Sequence, residues 1–490
     1  MSDAHPLKLF NSLTRKLETF KPVHEGEARV YSCGPTVYNY PHIGNMRAYV
    51  FADVLGRTLS FKGYDLTHVI NITDVGHLTD DADAGEDKLE KAAAAQSQSI
   101  WDIAEHYKQA YWADVQALNI RQPAQWTIAT DYVPQMIEFA SGIAQRHCYE
   151  LPSGLYFDVS TVADYGRLAR AATDEGGNEL GGRIEAVSGK RHAADFAIWR
   201  RTPPGETRQM EWDSPWGRGA PGWHLECSVM SGEVLGFPFD IHTGGIDHRE
   251  IHLPNEIAQN QAHCCTNGLD VAANSGARLW MHNNFLVERS GKMSKSSGEF
   301  LRLQLLIDKG YHPLAYRMMC LQAHYRSELE FSWEGLGAAL TRLKRMVMGV
   351  EKLRAKLDGD VDTRIVLQAK FILDGFDERV SVDLGVPNAL VLLEQAIEGK
   401  TGPSSLNLHL VEQMDAVLGL NLLSMTRTDL RIRPKSATLT EAEIEAQLAA
   451  RKEARAAKDF ATSDRLRDDL AAKGVEVMDG DPLGWEWKLG

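Results

Sequence analysis

Residues 28–45 read Ala-Arg-Val-Tyr-Ser-Cys-Gly-Pro-Thr-Val-Tyr-Asn-Tyr-Pro-His-Ile-Gly-Asn, and this stretch decides the fold. Its first six residues alternate as in a strand and end at a Gly-Pro turn signal. Apolar residues on one face then predict a helix over 45–60, and a second strand is predicted over 67–72. A strand, a helix and a strand in this order form a right-handed parallel unit. His42 and Gly44 therefore lie where a strand passes into a helix N-terminus, the position at which nucleotides bind in an open α/β sheet.

A second motif lies far downstream, where residues 291–296 read Gly-Lys-Met-Ser-Lys-Ser. Two lysines on a glycine-flanked loop can neutralise a triphosphate, and His42 and Asn45 at a helix start can donate hydrogen bonds to phosphate oxygens. Taken singly, His42 could be a turn residue, and Lys292 and Lys295 could form an exposed basic loop. Together and in this order, the two motifs favour a site that binds the phosphates of a nucleotide.

Length and composition indicate a globular protein of several domains. The chain has 490 residues, of which 43% are hydrophobic and 24% charged. No apolar run is long enough to span a bilayer, and residues 1–20 lack the apolar stretch of a signal peptide. Six cysteines in so long a chain do not make a disulfide framework, so a cytoplasmic location is expected.

The net charge of −14 argues against a protein that coats nucleic acid, although local basic faces remain possible. Two segments, near 342–356 and 431–458, are locally basic. On charge alone, solvated helix surface is the simpler interpretation of both segments.

Four side chains are candidates for a metal site, namely Cys33, Cys227, His252 and Glu256. Cys33 ends the first predicted strand beside the nucleotide motif, and thiolate, imidazole and carboxylate ligands together suit zinc. His252 and Glu256 are four residues apart, but Pro254 is expected to begin a helix between them, so that the pair straddles the helix start. Spacing alone leaves open that these are buried cysteines and an ordinary helix-start pair, because the chain has no Cys-x-x-Cys.

The remaining patterns divide the chain into an α/β part and a helical part. Residues 99–118 carry apolar side chains at helical spacing, and residues 119–219 are rich in glycine, proline and polar turns, which is typical of an insertion. Sheet-like segments resume at 237–242 and 279–287. From Trp333 onward the pattern is helical, with a break at 402–405, a linker at 431–436, and a helical pair over 441–458 and 462–473.

The two motifs resemble the ATP signatures of class I aminoacyl-tRNA synthetases, which are usually written HIGH and KMSKS. This resemblance implies a chain that activates a carboxylic acid by adenylation. Longer stretches are similar to cysteinyl-tRNA synthetases over nearly the whole chain: 7–16, 33–38, 71–74, 103–107, 221–228 and 255–259. The resemblance implies an α/β fold with a Rossmann-like parallel-sheet catalytic domain that holds an insertion. A helical-bundle domain and a small C-terminal anticodon-binding module would follow.

The resemblance also implies domain boundaries. The catalytic domain would occupy 1–122 and 220–282, on either side of a connective insertion at 123–219. A stem-contact region carrying the KMSKS loop would follow at 283–332, a helical-bundle tRNA-binding domain at 333–430, and the anticodon-binding module at 431–490.

The resemblance assigns ligands to the site residues. One zinc ion per chain would be held by Cys33, Cys227, His252 and Glu256 and would recognise the substrate L-cysteine. Cysteine and serine differ by one atom, and zinc prefers a thiolate to a neutral hydroxyl, so direct coordination would supply the specificity. The residues implied around the rest of the amino acid are Gly34, Thr73, Trp223 and Asp247.

ATP, with Mg²⁺ assisting, is assigned to the two motifs. Catalysis falls to His42, Asn45, Lys292 and Lys295, and ATP binding to Gly44, Ser294, Lys295 and Ser296. Asn45 replaces the family's second histidine, and its amide can still donate to phosphate. Ala220 and Leu253 are further departures from the family pattern. The implied partners are tRNA(Cys), L-cysteine and ATP, with no membrane, and the family is commonly monomeric.

Two alternatives share the motifs. A cysteine ligase of mycothiol biosynthesis would transfer activated cysteine to an amino sugar, but it would lack an anticodon-binding end. Here the chain continues through residues 451–487, and 457–461 resembles the synthetase tail. A non-catalytic tRNA-binding paralogue would be expected to have lost the second lysine or a zinc ligand, and all of these are present.

Overall fold

The chain forms an α/β part that is interrupted by a small second sheet. The computed structural model describes residues 4–75, 89, 92–93, 99–169, 187–264, 268–288, 291–292, 301–356 and 363–489. The first elements are β1 (Lys8–Asn11), β2 (Lys16–Thr19), β3 (Glu27–Ser32), α1 (Ile43–Phe61), β4 (Asp65–Ile72), α2 (Ile100–Ala117) and β5 (Gln125–Ile128). The next are α3 (Val133–His147), β6 (Cys148–Leu151), β7 (Gly154–Phe157), β8 (Phe196–Arg201) and β9 (Gly219–Pro221).

The rest of the α/β part leads into the helical part. It contains α4 (Trp223–Leu235), β10 (Phe239–Gly245), α5 (His252–His263), β11 (Ala277–Asn283), β12 (Leu286–Glu288) and β13 (Gly291–Lys292). Then come α6 (Leu303–Asp308), α7 (Pro313–Leu321), β14 (Leu329–Glu330), α8 (Trp333–Ala355), α9 (Thr363–Val380), α10 (Val386–Ile397) and α11 (Ser404–Leu418). The last elements are α12 (Glu441–Ala456), α13 (Phe460–Ala472), β15 (Val475–Val477) and β16 (Trp485–Trp487).

A five-stranded parallel sheet with the strand order β11-β10-β3-β4-β5 forms the centre of the molecule. Its strands carry buried apolar side chains such as Val30, Val69 and Ile241, as expected for a parallel sheet that is covered by helices. The predicted strand, helix and strand are confirmed as β3, α1 and β4. Because all five strands are parallel, their carboxyl ends meet at one edge, where a ligand can approach several segments at once.

Two predicted elements differ from the structure. The segment 279–287 is two strands, β11 and β12, because the backbone N–H of Asn284 donates to the carbonyl of Tyr325 at 2.8 Å and leaves the ladder. The helix predicted to start at Pro254 begins two residues earlier, at His252. Proline is tolerated in this first turn because its missing N–H would have no partner within the helix.

The segment between β5 and α4 folds as a four-stranded antiparallel sheet, in the order β6-β7-β8-β9, with α3 packed beside it. In sequence it lies between strands of the parallel sheet, within the range 119–219 whose glycine-rich and proline-rich composition predicted an insertion. The predicted start of that range is too early, because β5 pairs with β4 and belongs to the parallel sheet. Its last strand, β9, leads directly into α4.

The helical part is tied to α1 by a buried ion pair. Arg317 of α7 is fully buried, and its Nη2 lies 2.6 Å from the Oδ2 of Asp53 in α1. The same guanidinium donates to the carbonyls of Leu118 and Leu418, where α2 and α11 end. Gly419 follows with φ of 66°, and a Cβ there would lie 2.5 Å from Arg317. The Arg317 guanidinium therefore links α7 and the ends of α2 and α11 to α1, the helix that His42 caps.

The last described residues form a small module with its own core. Its buried apolar side chains are Leu439, Ile444, Leu470, Val475, Trp485 and Trp487. Among the helices that the structure describes, none combines the length and apolarity that a membrane span requires.

Candidate active site

The first turn of α1 is capped by the motif that predicted it. The Nδ1 of His42 accepts a hydrogen bond from the N–H of Gly44 at 3.1 Å, and the side chain of Asn45 accepts from the N–H of His42 at 3.1 Å. This reciprocal cap leaves the helix N-terminus, with its partial positive charge, at the edge where β3 ends. Such a terminus can bind an anion.

The backbone of Ile43 in the first motif contacts a residue that lies downstream of the second motif and an α7 side chain. Its N–H donates to the carbonyl of Leu301 at 2.8 Å, and its carbonyl accepts from the hydroxyl of Tyr316 at 2.6 Å. Leu301 follows the second motif in the chain. The backbone of Lys292 lies in β13, paired with Val287. The predicted ATP residues Ser294, Lys295 and Ser296 lie outside the described residues.

The ends of β3 and β4 approach each other closely at Gly34. The N–H of Gly34 donates to the Oδ1 of Asn71 at 2.7 Å, and a Cβ at Gly34 would lie only 1.5 Å from the carbonyl oxygen of Asn71. Only glycine fits this contact. Cys33 follows β3 directly, and its N–H donates to the carbonyl of Thr243 at 3.0 Å. The backbone of Cys33 is thus fixed by the neighbouring strands.

Four predicted metal ligands come together beside Gly34. One ligand atom from each of Cys33, Cys227, His252 and Glu256 lies within 4.8 Å of the others, and all four residues are buried. Cys33 comes from the end of β3, Cys227 from α4, and the other two from α5. Because α5 begins at His252, the imidazole and the carboxylate share one helix face, and the expected arrangement across a helix start is wrong.

The carboxylate of Glu256 lies between two imidazoles. Its Oε2 lies 2.9 Å from the Nε2 of His242, and its Oε1 lies 2.8 Å from the Nε2 of His252. Burial opposes ionisation of Glu256, but these imidazoles lower its pKa to about 2. Burial lowers the pKa of His252, but the Glu256 charge, together with hydrogen bonds to Cys227 and Glu256, outweighs burial and raises that pKa to about 10. The pair therefore favours a positive charge between the two groups, carried by a proton or by a metal ion.

The geometry of these groups fits a small divalent cation. The Oε1 of Glu256 makes no well-aligned hydrogen bond within the described part of the chain, although it is fully buried. Ligands on one tetrahedral zinc ion, at bonds of about 2.0–2.3 Å, lie about 3.3–3.8 Å apart, which is compatible with the cluster. Two thiols, an imidazole and a carboxylate are ligands that zinc accepts.

Neighbouring aromatic rings orient His252. The indole of Trp223 stacks on its imidazole at 4.1 Å and 25°, and the Nδ1 of His224 lies 2.9 Å from the Nδ1 of His252. Burial, and then the charge of His252, lower the pKa of His224 well below its usual range. A neutral His224 can therefore hold the orientation of His252 by a hydrogen bond.

Of the residues predicted to contact the substrate amino acid, some lie inside the site and others lie at its rim. Thr73 is buried, and its hydroxyl donates to the Oε2 of Glu226 at 2.9 Å. Trp223 is half-buried, and Asp247 is exposed in the turn after β10. The Cys227 contact lowers the pKa of the Cys33 thiol, but burial and the charges of Glu256 and Asp247 together raise it.

Sequence reasoning missed three buried side chains of the site: Glu226, His224 and His242. Burial raises the pKa of Glu226 well above its usual range. Glu226 and His224 lie within the quoted stretch 221–228, where adjacency to Cys227 was the available signal. His242 lies in a predicted strand and carried no signal, because its partner Glu256 belongs to the helix that follows.

Several residues of the predicted basic segments already have anionic partners. Lys344 lies 2.6 Å from the Oε2 of Glu486, and Arg451 holds Asp479 with two bonds of 2.6 and 2.8 Å. The Lys344 pair therefore joins α8 to the C-terminal module, whereas the Arg451 pair lies within that module. Arg345 is exposed on α8.

Comparison with known families gives two matches. Residues 19–341 match the family described as tRNA synthetases class I (C) catalytic domain. Residues 439–482 match the cysteinyl-tRNA ligase anticodon binding domain. The second match covers most of the small module around Trp485.

Relatives are similar along their whole length. A cysteine--tRNA ligase of Novosphingobium aromaticivorans is 76% identical over 99% of this chain and 97% of its own length. A cysteine--tRNA ligase of Zymomonas mobilis is 52% identical over 99% of this chain and 98% of its own length.

A solved structure shares the fold. The methionyl-tRNA synthetase of Mycobacterium tuberculosis, bound by methionyl-adenylate, aligns with a TM-score of 0.53 at 13% identity, covering 81% of this chain and 90% of that chain. With the Rossmann-like sheet, the helical part and the two family matches, this chain belongs to the cysteinyl-tRNA ligase family of class I aminoacyl-tRNA synthetases.

Proposed function

We propose that the chain activates L-cysteine with ATP and transfers it to the 3′ end of tRNA(Cys). The observation that carries this proposal is the buried cluster of two thiols, an imidazole and a carboxylate beside the capped start of α1. A thiol-selecting site next to a phosphate-binding helix terminus is what the activation of cysteine requires. The family membership supports the same reaction.

In the activation step, a carboxylate oxygen of cysteine attacks the α-phosphorus of ATP, and the bond to the β-phosphate oxygen breaks to release pyrophosphate. The protein contributes mainly position and charge. His42, Gly44 and Asn45 would present the start of α1 to the phosphates, and Lys292, Ser294, Lys295 and Ser296 would bind the same group from the second motif. The catalytic members of this set would be His42, Asn45, Lys292 and Lys295. Mg²⁺ would neutralise further phosphate charge.

The specificity for cysteine would come from zinc. Cys33, Cys227, His252 and Glu256 would hold the ion, which would supply a Lewis acid with a strong preference for thiolate over hydroxyl. The ring of Trp223 and the hydrogen bond that His252 donates to His224 keep His252 in place, and His242 does the same for Glu256. Burial of the whole cluster excludes water that would compete for the ion.

The other groups of the amino acid would be bound around this cluster. Gly34 would contribute backbone atoms beside Cys33, its N–H being held by Asn71. The Thr73 hydroxyl is directed by its bond to Glu226. Trp223 would cover the substrate, and Asp247, exposed at the rim, would attract the ammonium group.

In the transfer step, a hydroxyl of the terminal ribose of tRNA attacks the carbonyl carbon of the adenylate, and AMP leaves. We assign catalysis to 1–122 and 220–282 together with β5, the rest of 123–219 to the insertion, and the stem-contact region to 283–332. The helical bundle at 333–430 and the module at 431–490 would bind the rest of the tRNA. We further propose a cytoplasmic monomer. Within the described part of the chain the thiols of Cys33, Cys148, Cys227 and Cys320 are unbridged, which suits a reducing compartment.

The test is cysteine-dependent exchange of labelled pyrophosphate into ATP, with serine as the control substrate and zinc measured on the same sample. We expect exchange with cysteine, little with serine, and about one zinc per chain. Absent exchange, or equal exchange with serine, would contradict the proposal. Charging of tRNA(Cys), compared with modification of an amino sugar, then identifies the acceptor.

A further inference from the structure

Tyr31 is a fully buried side chain next to the metal cluster. It lies in β3, two residues before Cys33, and is paired in register with His242 of β10. Its ring lies 5.2 Å from the His242 imidazole, which itself bonds Glu256. The ring is therefore confined between two strands, and packing fixes the direction of its hydroxyl group.

The Tyr31 hydroxyl has no properly formed hydrogen bond to any residue that the structure describes. A buried tyrosine oxygen usually finds a partner, because an unpaired polar group in the interior loses its hydration without compensation. The position of this hydroxyl inside a candidate metal site suggests a partner that gains acceptor strength when the ion binds.

That partner is the sulfur of Cys227. The Tyr31 hydroxyl lies beside this sulfur, and Cys33 and Glu256 are also close enough to act on it electrostatically. A neutral thiol is a weak acceptor. A metal-bound thiolate carries negative charge, and hydrogen bonds to charged acceptors are about twice as strong as neutral ones.

We propose that Tyr31 is a positioning residue of the metal cluster, whose O–H donates a hydrogen bond to the Cys227 sulfur when the ion is bound. The proposal rests on the zinc site proposed above and adds a donor to it. Hydrogen bonds around metal ligands orient them, and their loss typically lowers metal affinity 10–100-fold, by order of magnitude. A donor on the sulfur also withdraws electron density from it.

The test compares Tyr31→Phe with the unaltered full chain. Zinc affinity is measured by competition with a chromogenic chelator, and the absorption spectrum is recorded after Co²⁺ replaces zinc. We expect roughly 10–100-fold weaker zinc binding in Tyr31→Phe. The sulfur-to-cobalt charge-transfer band should move to longer wavelength, because the thiolate electrons are less stabilised without the donor.

Tyr156→Phe is the matched control. Tyr156 is equally buried, but it lies in β7 of the insertion, with its hydroxyl 3.0 Å from the Oγ of Ser153. Its loss should leave both zinc affinity and the cobalt spectrum unchanged. A folded Tyr31→Phe with the affinity and spectrum of the unaltered chain would overturn the role of Tyr31 while leaving the zinc site standing. An unaltered chain that binds no zinc would overturn both.

A second measurement covers the case in which Tyr31→Phe does not fold. 3-Fluorotyrosine is placed at position 31 alone, and its ¹⁹F resonance is followed during zinc titration. We expect a shift that saturates at one equivalent of zinc, because the ring senses the change in its hydrogen bond. A resonance that does not respond to zinc would refute the proposal.

Discussion

Gly34→Ala is the substitution that we expect to disrupt the metal site while the rest of the fold is kept. The added Cβ would lie 1.5 Å from the carbonyl oxygen of Asn71, whereas real Cβ contacts essentially never fall below 3.0 Å. The ends of β3 and β4 would have to separate by about 1.5 Å to relieve this overlap. Cys33 precedes Gly34 directly and would move with its backbone.

A shift of this size exceeds what a metal site tolerates. Ligand distances in zinc sites hold to within about 0.2 Å, so Cys33 should leave the coordination sphere. We expect zinc affinity to fall about 100-fold or more, with cysteine-dependent pyrophosphate exchange lost in parallel. The assays are chelator competition and pyrophosphate exchange, and circular dichroism checks the fold.

Gly142→Ala provides the matched control for this experiment. Gly142 lies in α3 and is exposed, and a Cβ added there would meet no other atom within 4 Å. Alanine at this position should therefore be neutral or should stabilise the helix by up to about 1 kcal/mol. Wild-type zinc affinity and exchange in Gly34→Ala would refute the reasoning, because the strand ends would then have absorbed the overlap without moving Cys33.

Three further predictions follow from other contacts. Cys227→Ser should lose zinc and weaken cysteine binding; unchanged discrimination between cysteine and serine in pyrophosphate exchange would remove Cys227 from the site. Arg317→Met leaves Asp53 buried without its main partner and should destabilise the fold by about 3–5 kcal/mol in urea unfolding, and a loss below about 1 kcal/mol would contradict this. Burial raises the pKa of Asp114 to about 7, so its charged form is the unfavourable one in the folded state. Asp114→Asn should therefore raise the melting temperature at pH 8. The gain should be small near pH 4, close to the pKa of an unfolded aspartate, because the folded state then keeps its proton at little cost. A gain in melting temperature that is independent of pH in scanning calorimetry would exclude this cause.

The sequence predicted most of the central fold because its signals are local. The helix predicted over 99–118 is α2, Ile100–Ala117, and the turn signal before Thr36 does end β3. Periodicity and turn residues report on neighbours within a few positions, so they define these elements to within two or three residues. The start of α5 was predicted at Pro254, but proline is also tolerated later in a first turn, and here it is the third helical residue.

Local sequence patterns predicted the site less well than they predicted the fold. Residue type and position identified the four ligands only as candidates, and the family resemblance assigned them to zinc. The Thr73–Glu226 bond joins residues 153 positions apart, and the placement of the buried Tyr31 hydroxyl beside Cys227 has no sequence signature. Contacts of this kind exist only once the sheet has assembled, because the ends of its strands bring distant segments together.

The central claim is that the buried cluster holds a zinc ion that selects the thiolate of cysteine. Zinc K-edge X-ray absorption on the purified full chain tests it most directly, because sulfur ligands at about 2.3 Å are distinguished from nitrogen and oxygen ligands near 2.0 Å. We predict two sulfur ligands in the free protein, from Cys33 and Cys227, three after addition of cysteine, and two after addition of serine. A sulfur count that does not rise with cysteine would contradict the account.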